Sequence, residues 1–140
     1  MPAFPEPHII EFPRLGKSDI GFISVADSAQ KLVPFSIERV FWTYHTPESI
    51  VRGRHAHRET QQVMICLTGR ILVTLEDAHG KVETFLLDQP EKALYIPPHL
   101  WHTMQYSHTA IQLVFASTAY SENDYLRDYE SFKQYWKNKP

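Results

Sequence analysis

Apolar and polar residues alternate with a period near two over most of the chain, which is typical of β-strands that bury one face. In RILVTLE at 70–76, for example, Ile71, Val73 and Leu75 share one face. The DAHG segment at 77–80 has the composition of a hairpin turn. The pattern predicts strands at 7–12, 20–26, 34–45, 53–58, 61–67, 70–76, 81–88, 92–96, 101–107 and 109–117.

The C-terminal segment has a helical periodicity instead. Large apolar side chains recur there at spacings of three and four: Leu126, Tyr129, Phe132 and Trp136. Ser121 precedes Asp124 by three residues, which is a helix-start signature. We therefore predict one amphipathic helix at about 122–137, packed by its aromatic side. Many short strands followed by one helix favour an all-β fold, a small barrel or jelly roll.

Composition narrows the class of protein. A chain of 140 residues fits a single domain, 1–140, with one core. The net charge of −2 provides no basic field for nucleic acid, so an anionic ligand needs local arginines. The apolar runs are too short to span a membrane, and the N-terminus lacks the features of a signal peptide. The lone cysteine, Cys66, fits a reducing compartment, and we expect a buried, inert thiol in a cytoplasmic protein.

The stretch RGRHAHRETQQ at 52–62 carries the chemistry. On a strand, His55 and His57 point to the same side, whereas Arg54 and Ala56 take the other parity, as does Arg52 unless it lies in a turn before the strand. Two imidazoles on one face suit either a metal pair or an acid/base pair.

Two residues farther along the chain extend this pair, namely Gln62 and His102. Three histidines and a carboxamide can hold a divalent metal. Three histidines without metal can also transfer protons near neutral pH. The residue types alone leave both alternatives open.

The spacing of these residues, with Gly69, resembles the cupin motifs over about 35–117. Gln62 stands where the first motif has glutamate, and His99 stands where the second has glycine. Longer strings, namely ERVFWTYHTPESIVRGRHAHRETQQVMICLTGRILVTLED, LYIPPHLWHTM and YSENDYLRDYESF, resemble one cupin family over about 8–134. That family is the 3,4-ketoisomerases that act on dTDP-4-keto-6-deoxyglucose.

The resemblance implies a cupin-type jelly-roll barrel and a homodimer with strand exchange near the N-terminus. It implies no metal or other cofactor, and proton transfer by histidine. The product, a dTDP-3-keto-6-deoxyhexose, would supply 3-amino-3,6-dideoxyhexose synthesis for surface polysaccharides or glycosylated metabolites. No nucleic acid or membrane partner is expected.

The resemblance also assigns roles to residues. His57 is our first choice as the base and His55 its partner, although spacing does not rank them. Tyr44 is expected to donate or orient, and His102 to place protons at C4. Arg39 and Arg52 are expected to bind the diphosphate, with Arg54 as a weaker candidate. The aromatic residues Trp42, Tyr44 and Trp101 are expected either to stack on the base or to pack in the core. Gln61 and Gln62 are expected to make polar contacts with the substrate.

Two positions bear on the stereochemistry of the product. His102 favours the galacto-configured sugar, whereas Ile20, found where relatives often carry arginine or another large side chain, does not support it.

Three other functions compete with the ketoisomerase: a metal-dependent oxygenase or lyase with His55, His57, Gln62 and His102 as ligands, a sugar-nucleotide-binding cupin without catalysis, and a C3 or C5 epimerase.

Overall fold

The computed structural model describes residues 4–137, which form twelve strands, one 3-10 turn and one α-helix. The strands are β1 (His8–Glu11), β2 (Leu15–Lys17), β3 (Gly21–Ile23), β4 (Arg39–Tyr44), β5 (Val51–His57), β6 (Gln62–Thr68), β7 (Ile71–Glu76), β8 (Val82–Leu87), β9 (Lys92–Ile96), β10 (Trp101–Tyr106), β11 (Ile111–Ala116) and β12 (Tyr125–Leu126). The 3-10 turn is Glu122–Asp124 and the helix α1 is Tyr129–Lys137.

Two five-stranded antiparallel sheets pack face to face, in the orders β1-β9-β6-β11-β4 and β12-β5-β10-β7-β8. A separate hairpin joins β2 and β3. The predicted all-β, cupin-type jelly roll with one C-terminal helix is confirmed over the described residues. The predicted hairpin turn is also present, since Gly80 N–H donates to the Asp77 carbonyl between β7 and β8.

The alternating apolar residues fill the space between the sheets. This central core includes Met64, Cys66, Val73, Leu94 and Val114, drawn from strands of both sheets. Burial of the Cys66 thiol raises its pKa to about 11, as expected for an inert thiol. The apolar core occupies one part of the barrel. Polar residues instead line the interior at the end of β5 and the start of β10.

Part of the outer face of each sheet is also covered. On the first sheet, Ile10, Val63 and Tyr95 pack beneath irregular chain that includes Leu32 and Phe35. The strand predicted at 34–45 therefore begins only at Arg39, since the chain before it covers the sheet rather than joining its ladder. The strand predicted at 20–26 is the shorter β3, and its partner β2 was not predicted.

On the second sheet, α1 packs its aromatic side against the outer face. Phe132 is fully buried there with Ala56 and Leu126, and Trp101 packs against the same cluster. Within residues 4–137, no helix has both the length and the apolarity needed to span a membrane.

The helix prediction at about 122–137 is wrong in its first part. Asp128, not Ser121, caps the helix, because its carboxylate accepts the Ser131 backbone N–H at 2.9 Å. The preceding residues pair with β5, with Tyr125 opposite His57 and Leu126 opposite Ala56. Tertiary pairing therefore overrides the helical periodicity, and this segment reaches the histidines.

Candidate active site

A β-bulge in β5 sets the direction of the side chains at the site. His55 lies opposite His102, but Gly53 lies opposite Thr103, so Arg54 is an extra residue in the strand. Gly53 and Arg54 have positive φ angles of 90° and 59°, which accommodate the bulge. His55 and His57 keep the shared face that their spacing predicts.

The bulge reverses the parity of the residues before it. Arg52 lies opposite Met104, a residue of the central core, and paired residues share a face of the sheet. The prediction that Arg52 points away from the histidine face is therefore wrong. Arg54 is exposed, and its Nε donates a hydrogen bond to the Val51 carbonyl at 3.4 Å.

Three histidines converge inside the barrel. The ring centroids of His55 and His102 are 4.4 Å apart, those of His55 and His57 are 5.0 Å apart, and those of His57 and His102 are 5.6 Å apart. One ring nitrogen from each lies within 4.8 Å of the others. His57 and His102 are only 3% and 1% exposed. The strands thus bring together the histidines that the sequence singled out.

Each ring is oriented by an acceptor at Nδ1. The partners are the Gly53 carbonyl for His55 at 3.1 Å, the Leu100 carbonyl for His102 at 3.2 Å, and Asp124 Oδ2 for His57 at 2.8 Å. Because these partners only accept, each neutral ring carries its proton on Nδ1 and leaves Nε2 as an acceptor. The Nε2 atom of His57 is buried and has no hydrogen-bond partner among residues 4–137.

Asp124 distinguishes His57 from the other two histidines. Its Oδ1 accepts the Glu59 backbone N–H at 2.7 Å, and its Oδ2 accepts both His57 Nδ1–H and the Thr60 hydroxyl. Burial opposes ionisation, but these hydrogen bonds together lower the pKa of Asp124 below its ordinary range. A permanently charged carboxylate therefore supports a positive charge on His57, as expected of a general base.

The other two histidines stay neutral. Burial, and next the neighbouring His57, lower the pKa of His55 to about 4. Burial also lowers the pKa of His102 well below its ordinary value. At neutral pH neither ring adds a positive charge beside His57.

The Arg39 guanidinium, which forms no ion pair within residues 4–137, faces the same interior. Alternation along β4 turns Arg39, Phe41 and Thr43 inward. Arg39 Nη1 donates to the Tyr125 hydroxyl at 3.3 Å, while its Nε and Nη2 are buried without a partner among the described residues. A buried cation in this state suits an anionic or carbonyl oxygen of a ligand.

Tyr125 joins this arginine to the histidines. Its ring centroid lies 4.6 Å from that of His57 and 4.9 Å from that of His55. The Arg127 guanidinium covers the ring at 4.2 Å. Sequence reasoning missed Asp124 and Tyr125 because it placed both in a helix, although the string YSENDYLRDYESF was the signal for them.

Other predicted residues lie elsewhere. Tyr44 and Trp42 are 56% and 61% exposed on the outer face of β4, because the inward parity belongs to its odd-numbered neighbours. Trp101 contacts the rings of Tyr129 and Phe132 under α1, which is the core-packing alternative. The structure therefore does not bring Tyr44, Trp42 or Trp101 to the histidines.

The two glutamines diverge. Gln62 is buried on β6, and its Oε1 has no hydrogen-bond partner within residues 4–137. Gln61 instead accepts the Tyr95 hydroxyl at 2.7 Å, in the cluster on the outer face. Ile20 lies in the β2–β3 turn and is 78% exposed, away from the histidines within this chain.

A jelly roll with three inward histidines, one of them paired with a carboxylate, suits either acid/base chemistry or metal binding in a cupin. Residues 5–137 match the family described as "FdtA: WxcM-like, C-terminal". The chain belongs to this family.

Named relatives specify the reaction class. The chain is 36% identical over 131 residues to the TDP-4-oxo-6-deoxy-alpha-D-glucose-3,4-oxoisomerase of Aneurinibacillus thermoaerophilus, covering 93% of this chain and 92% of that one. It superposes with a TM-score of 0.88 on a 3,4-ketoisomerase from Helicobacter canadensis, at 31% identity, covering 94% of this chain and 98% of the other.

A second solved structure agrees. The 3,4-ketoisomerase QdtA from Thermoanaerobacterium thermosaccharolyticum, in complex with TDP, gives a TM-score of 0.88 at 29% identity, covering 94% of this chain and 95% of the other. The predicted family resemblance is confirmed, and the enzyme is an isomerase of the 3,4-ketoisomerase class.

Proposed function

We propose that this enzyme converts dTDP-4-keto-6-deoxy-D-glucose to a dTDP-3-keto-6-deoxyhexose, with His57 as the general base. The observation that carries this proposal is the buried His57–Asp124 pair, in which His57 Nε2 is buried and has no hydrogen-bond partner among residues 4–137. The choice of sugar nucleotide follows the activity named for the relative from Aneurinibacillus thermoaerophilus.

The reaction moves a ketone from C4 to C3 by proton transfer alone. His57 Nε2 removes the C3 proton, which is acidic because it is α to the carbonyl, and the C4 oxygen takes the negative charge of the enediolate. The C3 hydroxyl then gives up its proton and becomes the ketone, a proton is added at C4, and the C4 oxygen takes back the proton held by His57 to become a hydroxyl. Asp124 offsets the charge on His57 during this sequence.

The remaining groups stabilise and place protons. Neutral His55 and His102 accept hydrogen bonds from sugar hydroxyls through Nε2 and add no competing positive charge. Tyr125 takes the donor role that the sequence gave to Tyr44, because its ring contacts both His55 and His57. A preorganised donor at the enolate oxygen typically contributes about 10²–10³-fold to kcat.

The diphosphate is assigned to two arginines. Arg39 has two buried nitrogens without a partner, and Arg52 lies on the inner face of β5. A guanidinium can hold phosphate through paired donors, so these two residues neutralise the ligand's charge. Gln62 presents a buried amide for a sugar hydroxyl.

We infer a galacto-configured product and a later step that aminates C3. His102 supports the configuration, because it is buried within the catalytic cluster, where its Nε2 can take the proton of a sugar hydroxyl and pass it to C4 from one side. The coupling of the C4 hydrogen in the product distinguishes the galacto from the gluco sugar.

We also propose a homodimer in the cytoplasm. The outer face of the first sheet and the β2–β3 hairpin leave large apolar side chains exposed, namely Leu15, Ile20, Phe22, Ile23, Val40, Trp42 and Leu67. Patches of this kind mark protein interfaces, and a second copy exchanging its hairpin would cover them. The unpaired Cys66 suits a reducing compartment.

A metal-dependent cupin is the second candidate. The ring nitrogens of His55, His57 and His102 lie within 4.8 Å of one another, which is close enough for three ligands to one ion. Each Nδ1 is held by an acceptor, as is also usual in metal-ligating histidines.

Proton NMR of the enzyme with dTDP-4-keto-6-deoxyglucose in D₂O, with and without EDTA, tests both candidates. We expect 3-keto signals with deuterium at C4, at the same rate in the presence of EDTA. Absence of conversion and exchange would contradict the proposed function. Conversion that EDTA abolishes and added metal restores would support the metal-dependent candidate.

A further inference from the structure

Two threonines lie behind the His57–Asp124 pair. The buried Thr60 donates its hydroxyl to Asp124 Oδ2, the same oxygen that accepts His57 Nδ1–H. Thr118 Oγ1 lies 2.6 Å from Thr60 Oγ1. We propose that Thr60, itself held by Thr118, is a positioning residue that fixes the Asp124 carboxylate for its hydrogen bond to His57. This inference rests on the proposed role of His57 as the base.

Hydrogen-bond chemistry sets the direction of this row. An ionised carboxylate only accepts, so the single hydroxyl proton of Thr60 must point at Asp124. Thr60 therefore accepts from Thr118, whose hydroxyl donates to it. The row runs in one direction, from Thr118 through Thr60 to Asp124, and ends at the oxygen that holds His57.

The carboxylate needs this second restraint. The Glu59 N–H holds Oδ1 but leaves the carboxylate free to turn about that contact. Thr60 holds Oδ2, so the two bonds together fix the plane of the carboxylate and thereby the ring of His57. A misdirected carboxylate would leave the ring orientation and its tautomer less defined.

The fold around the threonines does not depend on their hydroxyls. The Arg58 N–H donates to the Asp124 carbonyl at 2.8 Å, and the Ser117 N–H donates to the Gln61 carbonyl at 3.0 Å. These backbone bonds hold the β5–β6 connection, the end of β11 and the 3-10 turn together. Removing a hydroxyl should therefore release the carboxylate without separating the segments.

Thr60→Val removes the hydroxyl with little change of shape. We expect kcat to fall about ten-fold or more, the usual effect of losing a hydrogen bond to a charged group. KM should stay within about two-fold, because Thr60 contacts Asp124 rather than the ligand cavity. Thr60→Ser should restore most of kcat, and Thr118→Val should lower it by a smaller factor. Thr84→Val, at an exposed position of β8, is the matched control.

A measurement without substrate separates this inference from the proposed function. The His57 Nδ1 proton should give a low-field proton NMR resonance that His57→Asn removes, and Thr60→Val should shift or broaden it. Wild-type kcat with an unshifted resonance in Thr60→Val would overturn the inference, as would a Thr60→Ser variant as impaired as Thr60→Val. If Thr60→Val does not fold, an unchanged kcat and resonance in Thr118→Val would overturn it. An inactive wild-type enzyme would instead refute the proposed function alone.

Discussion

The three histidines differ in the partner of Nδ1, and that difference supports the distinct roles proposed for them. His57 bonds a carboxylate, whereas His55 and His102 bond backbone carbonyls. A carboxylate stabilises the imidazolium that forms when the base takes a proton, and a carbonyl does so much less. Spacing in the sequence left His55 and His57 equivalent because both share one face of β5. The distinction came from Asp124, which is 67 residues away from His57.

Acidification should destabilise the enzyme through His55. Its pKa falls from 6.5 in the unfolded chain to about 4 in the folded state, so the unfolded chain binds more protons between these values. The contribution of neutral His55 to the free energy of unfolding is thus fully present above pH 6.5. It is lost as the pH falls toward 4, by up to about 3 kcal/mol. We expect His55→Asn to flatten the fall of the urea midpoint over this range.

His79→Asn is the control for that experiment, because His79 is exposed in the β7–β8 turn. It should leave the pH dependence unchanged. A His55→Asn variant that loses stability as steeply as the wild type would show that burial of His55 has no such effect.

At the scale of the element, the bulge in β5 and the strand β12 build the site. The bulge lets His55 meet His102 while turning Arg52 inward, and β12 places Tyr125 opposite His57. Periodicity could not predict either feature. The bulge in β5 was missed because a bulge shifts parity by one residue without leaving a gap in the apolar pattern. The strand β12 was missed because Leu126 fits a helical repeat as well as it fits the cluster under α1.

Gly53→Ala tests the bulge. A Cβ at this position would lie 2.8 Å from the His102 carbonyl oxygen, in addition to the strain of a φ angle of 90°. We expect a loss of about 2–4 kcal/mol in the free energy of unfolding and a fall in kcat of about 10–100-fold, because His102 must shift.

Gly80→Ala is its matched control. Gly80 has a φ angle of 85° but nothing within 4 Å of an added Cβ, so it should lose only about 1 kcal/mol and retain kcat. Equal effects of the two substitutions on stability and kcat would contradict the role given to the bulge.

At the scale of the whole molecule, the sequence predicted the jelly roll, most of its strands and the histidine cluster. Strand alternation is a local signal, so it survives without knowledge of the fold. Trp101 and Tyr44, predicted at the ligand, lie where aromatic residues serve packing or an exposed face within this chain. Which face of a strand is covered depends on neighbours distant in the sequence.

The exposed apolar residues on the outer face of the first sheet favour a homodimer. Trp42→Glu should weaken or abolish the proposed homodimer, because a carboxylate would be buried against apolar side chains of the second copy. Leu86→Glu, on the exposed side of β8 in the other sheet, should leave it intact. Size-exclusion chromatography with light scattering measures both. A monomeric wild-type enzyme, or a Trp42→Glu dimer of undiminished affinity, would contradict this prediction.

The most direct test of the account is the exchange of the C3 hydrogen of dTDP-4-keto-6-deoxyglucose with D₂O, followed by proton NMR. We expect His57→Asn to lower the exchange rate by at least about 10³-fold while the folded spectrum is retained. The His79→Asn variant should exchange at the wild-type rate. Exchange by His57→Asn at the wild-type rate would show that another group removes the proton, and His57 would not be the base.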